Sequence, residues 1–369
     1  MIPLRILHLV PDPAGIDAQA ARPVLDALAV HGHESAWLCP APHAASPDGR
    51  AVVPFATGWW RWWRSERAAA SRRVAAWAPD LLHVHSLAHL GAGLDIARSL
   101  GLAVVVSVQR LEEPHAARRL RDSLVACTLV PSEHHRSHYL SRVGLTRDHI
   151  AILPMGVAVD QEPASCPTAS AWSIGLVDSG DRSATERWLE AVADVQGGGL
   201  PLAAAALVAD AEAETRLQDA ARDAGAAVAI TRDATLRSFL CTIDVLVLPG
   251  AQEVSPLLPI TAMALGRPVI GLATGGLPEL VRDGKTALLV EPDDADGLAQ
   301  AIRQLHDRGR RQEFAAASRE LARARFDAGL IAEATAEIYR AMIGGAGSGS
   351  GAKAEVTSAW RRVTDPRLR

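Results

Sequence analysis

Short continuous apolar runs alternate along this chain with longer stretches whose apolar positions recur every three or four residues. The first run, Arg5–Val10, reads as a buried strand, and Gln19–His31 as a helix that stops at Gly32. Ser35–Cys39 reads as a second strand, and Leu81–His85 as a third after the Pro79-Asp80 break. Ala103–Val108, Ala126–Val130 and Ile150–Leu153 complete a first set. A continuous apolar run, unlike an alternating one, marks a strand covered on both faces, as in a parallel sheet.

The alternation pauses at Gln161–Thr168, where two prolines sit among small residues, and then restarts. Strands are expected at Ser173–Val177, Leu202–Val208, Ala227–Ile230, Asp244–Pro249, Pro268–Gly271 and Ala287–Val290. Helices are expected at Ala184–Val195, Glu212–Ala224, Pro259–Leu265, Ala295–Asp307 and Arg311–Ile343. Two successive doubly wound α/β units follow, with residues 1–162 as the first domain and 163–343 as the second. Residues 344–369 open on a Gly/Ser-rich stretch and end in a basic tail, the pattern of a flexible linker with a disordered terminus.

Composition narrows the class further. The chain has 369 residues, 49% of them hydrophobic and 22% charged, close to the globular average. A net charge of −4 supplies no field to draw in nucleic acid. Cys39, Cys127, Cys166 and Cys241 show no CxxC spacing, which disfavours structural zinc and a disulfide framework and fits a reducing, cytoplasmic location. No run is long enough to span a membrane, and Met1–Val10 breaks at Pro11 before reaching signal-peptide length. Lys285 and Lys353 are the only lysines, so nearly all positive charge is arginine, the better fork for phosphate.

In open α/β sheets ligands bind beyond the carboxyl ends of strands, which nominates the loops after Val10, His85, Val108, Val130, Val177, Val208, Pro249 and Gly271. Two such domains facing one another place the default site in the cleft between them. Gly275-Gly276, after a strand and before a helix, lets backbone N–H groups approach an anion. Glu253 lies in a strand-to-helix loop, where a carboxylate can accept hydrogen bonds from sugar hydroxyls.

The stretches DVLVLPG, AQEVSPLLPITAMALGRPVIG and GGLPELVRDGKTALLVEPDDADGLAQAI, within Asp244–Ile302, resemble the C-terminal domain of retaining family 4 glycosyltransferases. Upstream, ILHLVP, GHES, PDLLHVHS, VVVSVQ, LVPSEHHRSHYLSRVG and ILPMGV fall in that family's order. The resemblance spans about residues 4–343. It implies the GT-B fold and sugar transfer from a nucleotide-sugar donor to a saccharide or lipid-linked acceptor, with no metal or other cofactor. Polysaccharide or glycoconjugate synthesis is the expected setting.

The resemblance also assigns roles, several on altered residues. Glu253 keeps the first place of the family's E-x7-E motif and would bind the donor sugar, whereas Thr261 replaces the glutamate that contacts the ribose. The family's diphosphate-clamping Arg and Lys fall on Gly175–Trp188, where Leu176 stands for the Arg and no Lys occurs. Arg182 or Arg187 is left to substitute. Glu279 and Gly275-Gly276 are kept on the donor side. On the acceptor side His85 and Ser132 are kept, Gln109 replaces a histidine, and Gly15 is the single glycine of the first loop. So many changes raise a non-catalytic, partner-binding relative as the alternative, with a nucleotide-sugar epimerase as a weaker third reading.

Two further clusters bear weighing. His83, His85 and His89 lie close together, as do His134, His135 and His138, of which His134 and His138 share a helix turn and could pair at a metal. The segment 59–77, WWRWWRSERAAASRRVAAW, sets Trp60, Trp63, Ala70, Val74 and Trp77 on one helical face. Trp59, Trp60, Trp62 and Trp63 beside arginines suit a peripheral contact at the inner face of a membrane, while packing on the first sheet is the structural alternative.

Overall fold

The computed structural model describes residues 2–40, 45–55, 63–159, 172–250, 255–292, 294 and 296–344. They form two compact units: one takes residues up to Val157 together with those from Phe326 onward, the other runs from Ala158 to Arg325. The expected division differs at the end of the chain, because the last helix belongs to the first unit rather than the second.

In the first unit the elements run β1 (Arg5–Leu9), α1 (Ile16–Val30), β2 (Glu34–Pro40), β3 (Val52–Phe55), α2 (Trp63–Trp77), β4 (Leu81–Val84), α3 (Leu90–Leu100), β5 (Ala103–Ser107), α4 (Pro114–Ala117), β6 (Val125–Val130), α5 (Glu133–His138) and β7 (Ile150–Ile152). All pair in parallel in the order β3-β2-β1-β4-β5-β6-β7. Successive β1 residues point to opposite faces, and both faces are covered. Leu7 and Leu9 join one core with Val74 of α2 and Leu94 of α3. Ile6 and Val10 join another with Leu25 and Leu28 of α1.

The second unit follows as β8 (Trp172–Val177), α6 (Arg182–Gly197), β9 (Leu202–Leu207), α7 (Ala211–Ala224), β10 (Val228–Thr231), α8 (Leu236–Thr242), β11 (Val245–Leu248), α9 (Leu257–Ala264), β12 (Val269–Leu272), α10 (Leu277–Leu280), β13 (Ala287–Val290), α11 (Gly297–Gln304) and α12 (Arg308–Arg325). The sheet order is β10-β9-β8-β11-β12-β13, again parallel. In α6 the buried positions Ala184, Trp188, Val192 and Val195 recur at helical spacing and pack on Ile174 and Leu176 of β8.

The helical stretch expected over Arg311–Ile343 divides into α12 and α13 (Ala328–Gly344). Between them the backbone gives up helical bonding to pair with Val157, which donates to the Phe326 carbonyl (2.8 Å) and accepts from Ala328 N–H (2.9 Å). The periodicity passes through this break unaltered, so the pattern alone does not reveal it. Beyond it, Ile338, Tyr339 and Met342 of α13 enter the α1 side of the first unit's core.

Trp59, Trp60 and Trp62 lie outside the described residues, and only the backbone of Trp63 is described. Further along α2, Ala70 and Val74 are fully buried and Trp77 packs against the same core, its ring under Arg5 at 4.7 Å. The described part of this face is therefore used for packing on the sheet. No described helix is long and apolar enough to cross a membrane.

Candidate functional site

A parallel sheet that reverses its winding opens a crevice at the reversal, and each unit has one: between β1 and β4, and between β8 and β11. At the first, His8 of β1 stands opposite His83 of β4, and His85 follows directly. His8 Nδ1 and His85 Nε2 share a hydrogen bond at 3.0 Å. His83 is bonded through Nδ1 to the Tyr339 hydroxyl (2.6 Å) and through Nε2 to Ser107 Oγ (2.8 Å). Burial keeps all three rings neutral: it pushes His85 down to about 4, and His8 and His83 well below the usual histidine range.

Three histidines each offering one nitrogen within 4.8 Å invite a metal reading. The rings argue against a chelate. His83 and His85 lie ring against ring, with centroids 4.1 Å apart and planes tilted by 33°. Both nitrogens of His83 are engaged already. The cluster is two hydrogen-bonded sets in ring contact with each other: His8 with His85 joins β1 to the end of β4, and Tyr339–His83–Ser107 ties β4 to β5 and α13.

His85 and Gln109 line one cavity of about 60 Å³ at the carboxyl ends of β4 and β5, together with His83, Ser107 and Tyr339. Ser132 and Gly15 stand apart from it. Ser132 is the N-cap of α5, its Oγ accepting from His135 N–H (3.3 Å) and bonded to His135 Nδ1 (2.8 Å). Gly15 closes a turn by donating to the Asp12 carbonyl (3.0 Å) and starts α1. His134 and His138 form no three-ligand group among the described residues, and His138 Nε2 is bonded to the Glu112 carbonyl (3.0 Å). His83 was legible as part of a histidine cluster. His8, Ser107 and Tyr339 carried no signal, because nothing along the chain announces which strands and helix meet.

In the second unit Glu253 lies outside the described residues. Thr261 sits on α9, its hydroxyl donating to the Leu257 carbonyl one turn back (2.6 Å). Gly275 adopts φ +61°, open to glycine at little cost, and Gly276 is the N-cap of α10. Gly271, on β12, allows Leu277 to close over the strand, since a Cβ there would lie 2.5 Å from Leu277 Cδ2. Glu279 lies in the first turn of α10, and its carbonyl accepts from Arg325 (3.1 Å).

The two candidate arginines on α6 part company. Arg182 is 85% exposed and paired with Glu186 at 2.9 Å. Arg187 is half-buried and donates through Nη1 to the Pro249 carbonyl (2.6 Å), just beyond β11. That contact ties α6, which follows β8, to the chain just beyond β11. The β8–α6 loop itself is acidic and self-satisfied. Asp178 accepts from Gly180 N–H and Thr185 Oγ1 (both 3.2 Å) and pairs with Arg216 (3.0 Å), while Asp181 caps α6. Asp210 and Thr235 cap α7 and α8 in the same way, whereas α9 starts without a side-chain cap. In its first turn Leu258 N–H donates to the Ser255 carbonyl (3.0 Å) and Pro259 carries no N–H.

Residues 21–161 match the family model described as Glycosyltransferase Family 4, and residues 174–308 the model described as Glycosyl transferases group 1. The 2-deoxystreptamine N-acetyl-D-glucosaminyltransferase of Streptomyces fradiae is 30% identical over 329 residues, 79% of this chain and 77% of that protein. The chain belongs to the family 4 glycosyltransferases.

An alpha-maltose-1-phosphate synthase of Mycolicibacterium smegmatis is 38% identical over 112 residues, 28% of this chain and 29% of that protein. Among solved structures, a glycosyltransferase from Rickettsia africae superposes with a TM-score of 0.76 at 16% identity, covering 93% of this chain and 99% of that one. Anabaena HepE, solved in complex with UDP-glucose, gives 0.73 at 15%, covering 90% and 98%. The two parallel Rossmann-like sheets are those of the GT-B fold. The reaction class of this glycosyltransferase is sugar transfer from a nucleotide-sugar donor, and the non-catalytic alternative is not favoured by relatives named for transfer and synthesis.

Proposed function

We propose that this glycosyltransferase holds the diphosphate of its donor in the second unit, with Arg187 as the cation. The half-buried Arg187 guanidinium, fixed on the Pro249 carbonyl, carries this reading. It joins α6, which follows β8, to the residue after β11, the two strands at the reversal where open α/β sheets bind ligands. Arg182 faces solvent and is paired, so it is not chosen. Gly275-Gly276 would add backbone donors, Thr261 one ribose contact, Glu253 the contact to the sugar hydroxyls, and Glu279 a place beside the glycine loop.

The leaving diphosphate must gain stabilisation as the glycosidic bond to it breaks. A fixed guanidinium and oriented amides supply that without a divalent ion, so the proposal includes metal independence. The acceptor, a saccharide or lipid-linked sugar, is assigned to the first unit at His85 and Gln109, with Ser132 and Gly15 as outlying loop positions. The Streptomyces fradiae relative is named for N-acetyl-D-glucosaminyl transfer, so that sugar is the first donor to try.

Nucleoside diphosphate release from a panel of UDP-, ADP- and GDP-sugars, with and without EDTA, tests the reading. One donor should be consumed at an undiminished rate in EDTA. Loss of turnover in EDTA with recovery on adding Mg²⁺ or Mn²⁺ contradicts metal independence, and no turnover with any donor contradicts the enzyme reading.

A further inference from the structure

We propose that the first unit's cavity takes an uncharged, largely apolar ring of the acceptor, and not a cationic aminocyclitol or an unmodified sugar. The inference rests on reading this unit as the acceptor side and adds the chemical class of the group it receives. Among the described residues, no Asp, Glu, Lys or Arg lines the cavity. Its titratable groups are His83, His85 and Tyr339, and burial keeps the imidazoles unprotonated and the phenol protonated at neutral pH. An ammonium group entering here would lose its water and find no counter-charge.

The polar atoms are mostly taken. Ser107 and Tyr339 are bonded to His83, and the Thr335 hydroxyl donates to the Ile331 carbonyl (2.6 Å). His85 Nε2 is bonded to His8. The half-exposed Gln109 side chain and His85 Nδ1 have no such bond among those described, so they are the groups left to meet a ligand. Val24, Leu25, Leu129, Leu153, Met155 and Ile331 supply the rest of the wall. A sugar ring carries hydroxyls on every edge, and most would be left unpaired against these side chains. A ring with an apolar body and one hydrogen-bonding edge matches the wall. At about 60 Å³ the space is well under the roughly 150 Å³ that encloses a whole benzene ring, so it receives one edge of the ring.

Calorimetric titration of the full chain with phenyl β-D-glucopyranoside, methyl β-D-glucopyranoside and 2-deoxystreptamine decides the point. The phenyl glucoside should bind at least about 10-fold more tightly than the methyl glucoside, with no measurable binding of 2-deoxystreptamine. Gln109→Glu, an isosteric change that puts a carboxylate on the wall, should weaken the phenyl glucoside several-fold and make 2-deoxystreptamine binding measurable. Val24→Phe, which fills the cavity, should remove the phenyl preference. Equal affinity for phenyl and methyl glucosides, or 2-deoxystreptamine binding to the unaltered chain as tightly as the phenyl glucoside, overturns the proposal. A nucleoside diphosphate titrated into the same sample separates the two claims. Its failure to bind counts against the donor reading, while the ring comparison still decides the cavity.

Discussion

His85 shows how burial turns a titratable side chain into a neutral one with a pH signature. Its ordinary value is 6.5, and burial pushes it down to about 4. Above 6.5 neither the folded nor the unfolded chain carries the proton, so the group contributes nothing to pH dependence. Below 6.5 the unfolded chain takes the proton and the folded one does not, so stability falls by about 1.4 kcal/mol per pH unit until about 4. Thermal melts between pH 7 and 4 should show the midpoint falling as pH drops, and His85→Asn should make that fall shallower; an equally steep fall in the variant contradicts the assignment. Thr261 gives a second expectation. Its hydroxyl already donates within α9, leaving only lone pairs for a ribose hydroxyl. Thr261→Glu would supply a charged acceptor worth about 1.5–3 kcal/mol, so nucleotide affinity should rise roughly 10-fold or more. Unchanged affinity would place the ribose elsewhere. The arginine excess is likewise decided side chain by side chain. Arg267 donates to the Leu240 and Cys241 carbonyls and Arg311 to those of Leu305 and His306, so both finish helix ends and neither is a phosphate ligand.

Elements were legible where the periodic signal was long and strong. The buried strands of both sheets and helices α1, α6 and α7 match the pattern closely. β3 escaped because Val52–Phe55 is short, contains Pro54 and lies at a sheet edge, where apolar continuity is not required. The α12/α13 break escaped because it is made by Val157, far away in the chain. Gly156 beside it explains why that approach works: a Cβ there would lie 2.6 Å from Val24 Cγ2 and 3.2 Å from Ala328 Cα. Gly156→Ala should therefore destabilise the first unit by about 1–3 kcal/mol, read from denaturant unfolding. A change under about 0.5 kcal/mol would mean that α1 and α13 can move apart freely.

At the scale of the whole molecule, the family and the two-sheet fold could be read from Asp244–Ile302 and the looser upstream motifs, because loops that approach a ligand need particular residues at fixed places. The site was only half legible. Of the proposed site, Gly275-Gly276, Thr261, His85 and Gln109 come from the sequence, whereas the preference for Arg187 over Arg182 rests on the Pro249 carbonyl, which no spacing along α6 predicts. Nor could the pattern tell that α13 returns to the first unit, where Ile338, Tyr339 and Met342 are buried. A chain ending at Arg325 should accordingly lose the first unit's cooperative unfolding transition in calorimetry, and retention of that transition would show the helix to be dispensable.

The central claim is that Arg187 is the cation that grips the donor diphosphate, and calorimetric titration of UDP, ADP and GDP into the unaltered chain, Arg187→Ala and Arg182→Ala tests it most directly. Removing charge-assisted bonds worth about 1.5–3 kcal/mol predicts a 10- to 150-fold loss for Arg187→Ala on whichever nucleotide binds, with Arg182→Ala within about twofold of the unaltered chain. Equal affinities for all three chains, or a loss confined to Arg182→Ala, would contradict it.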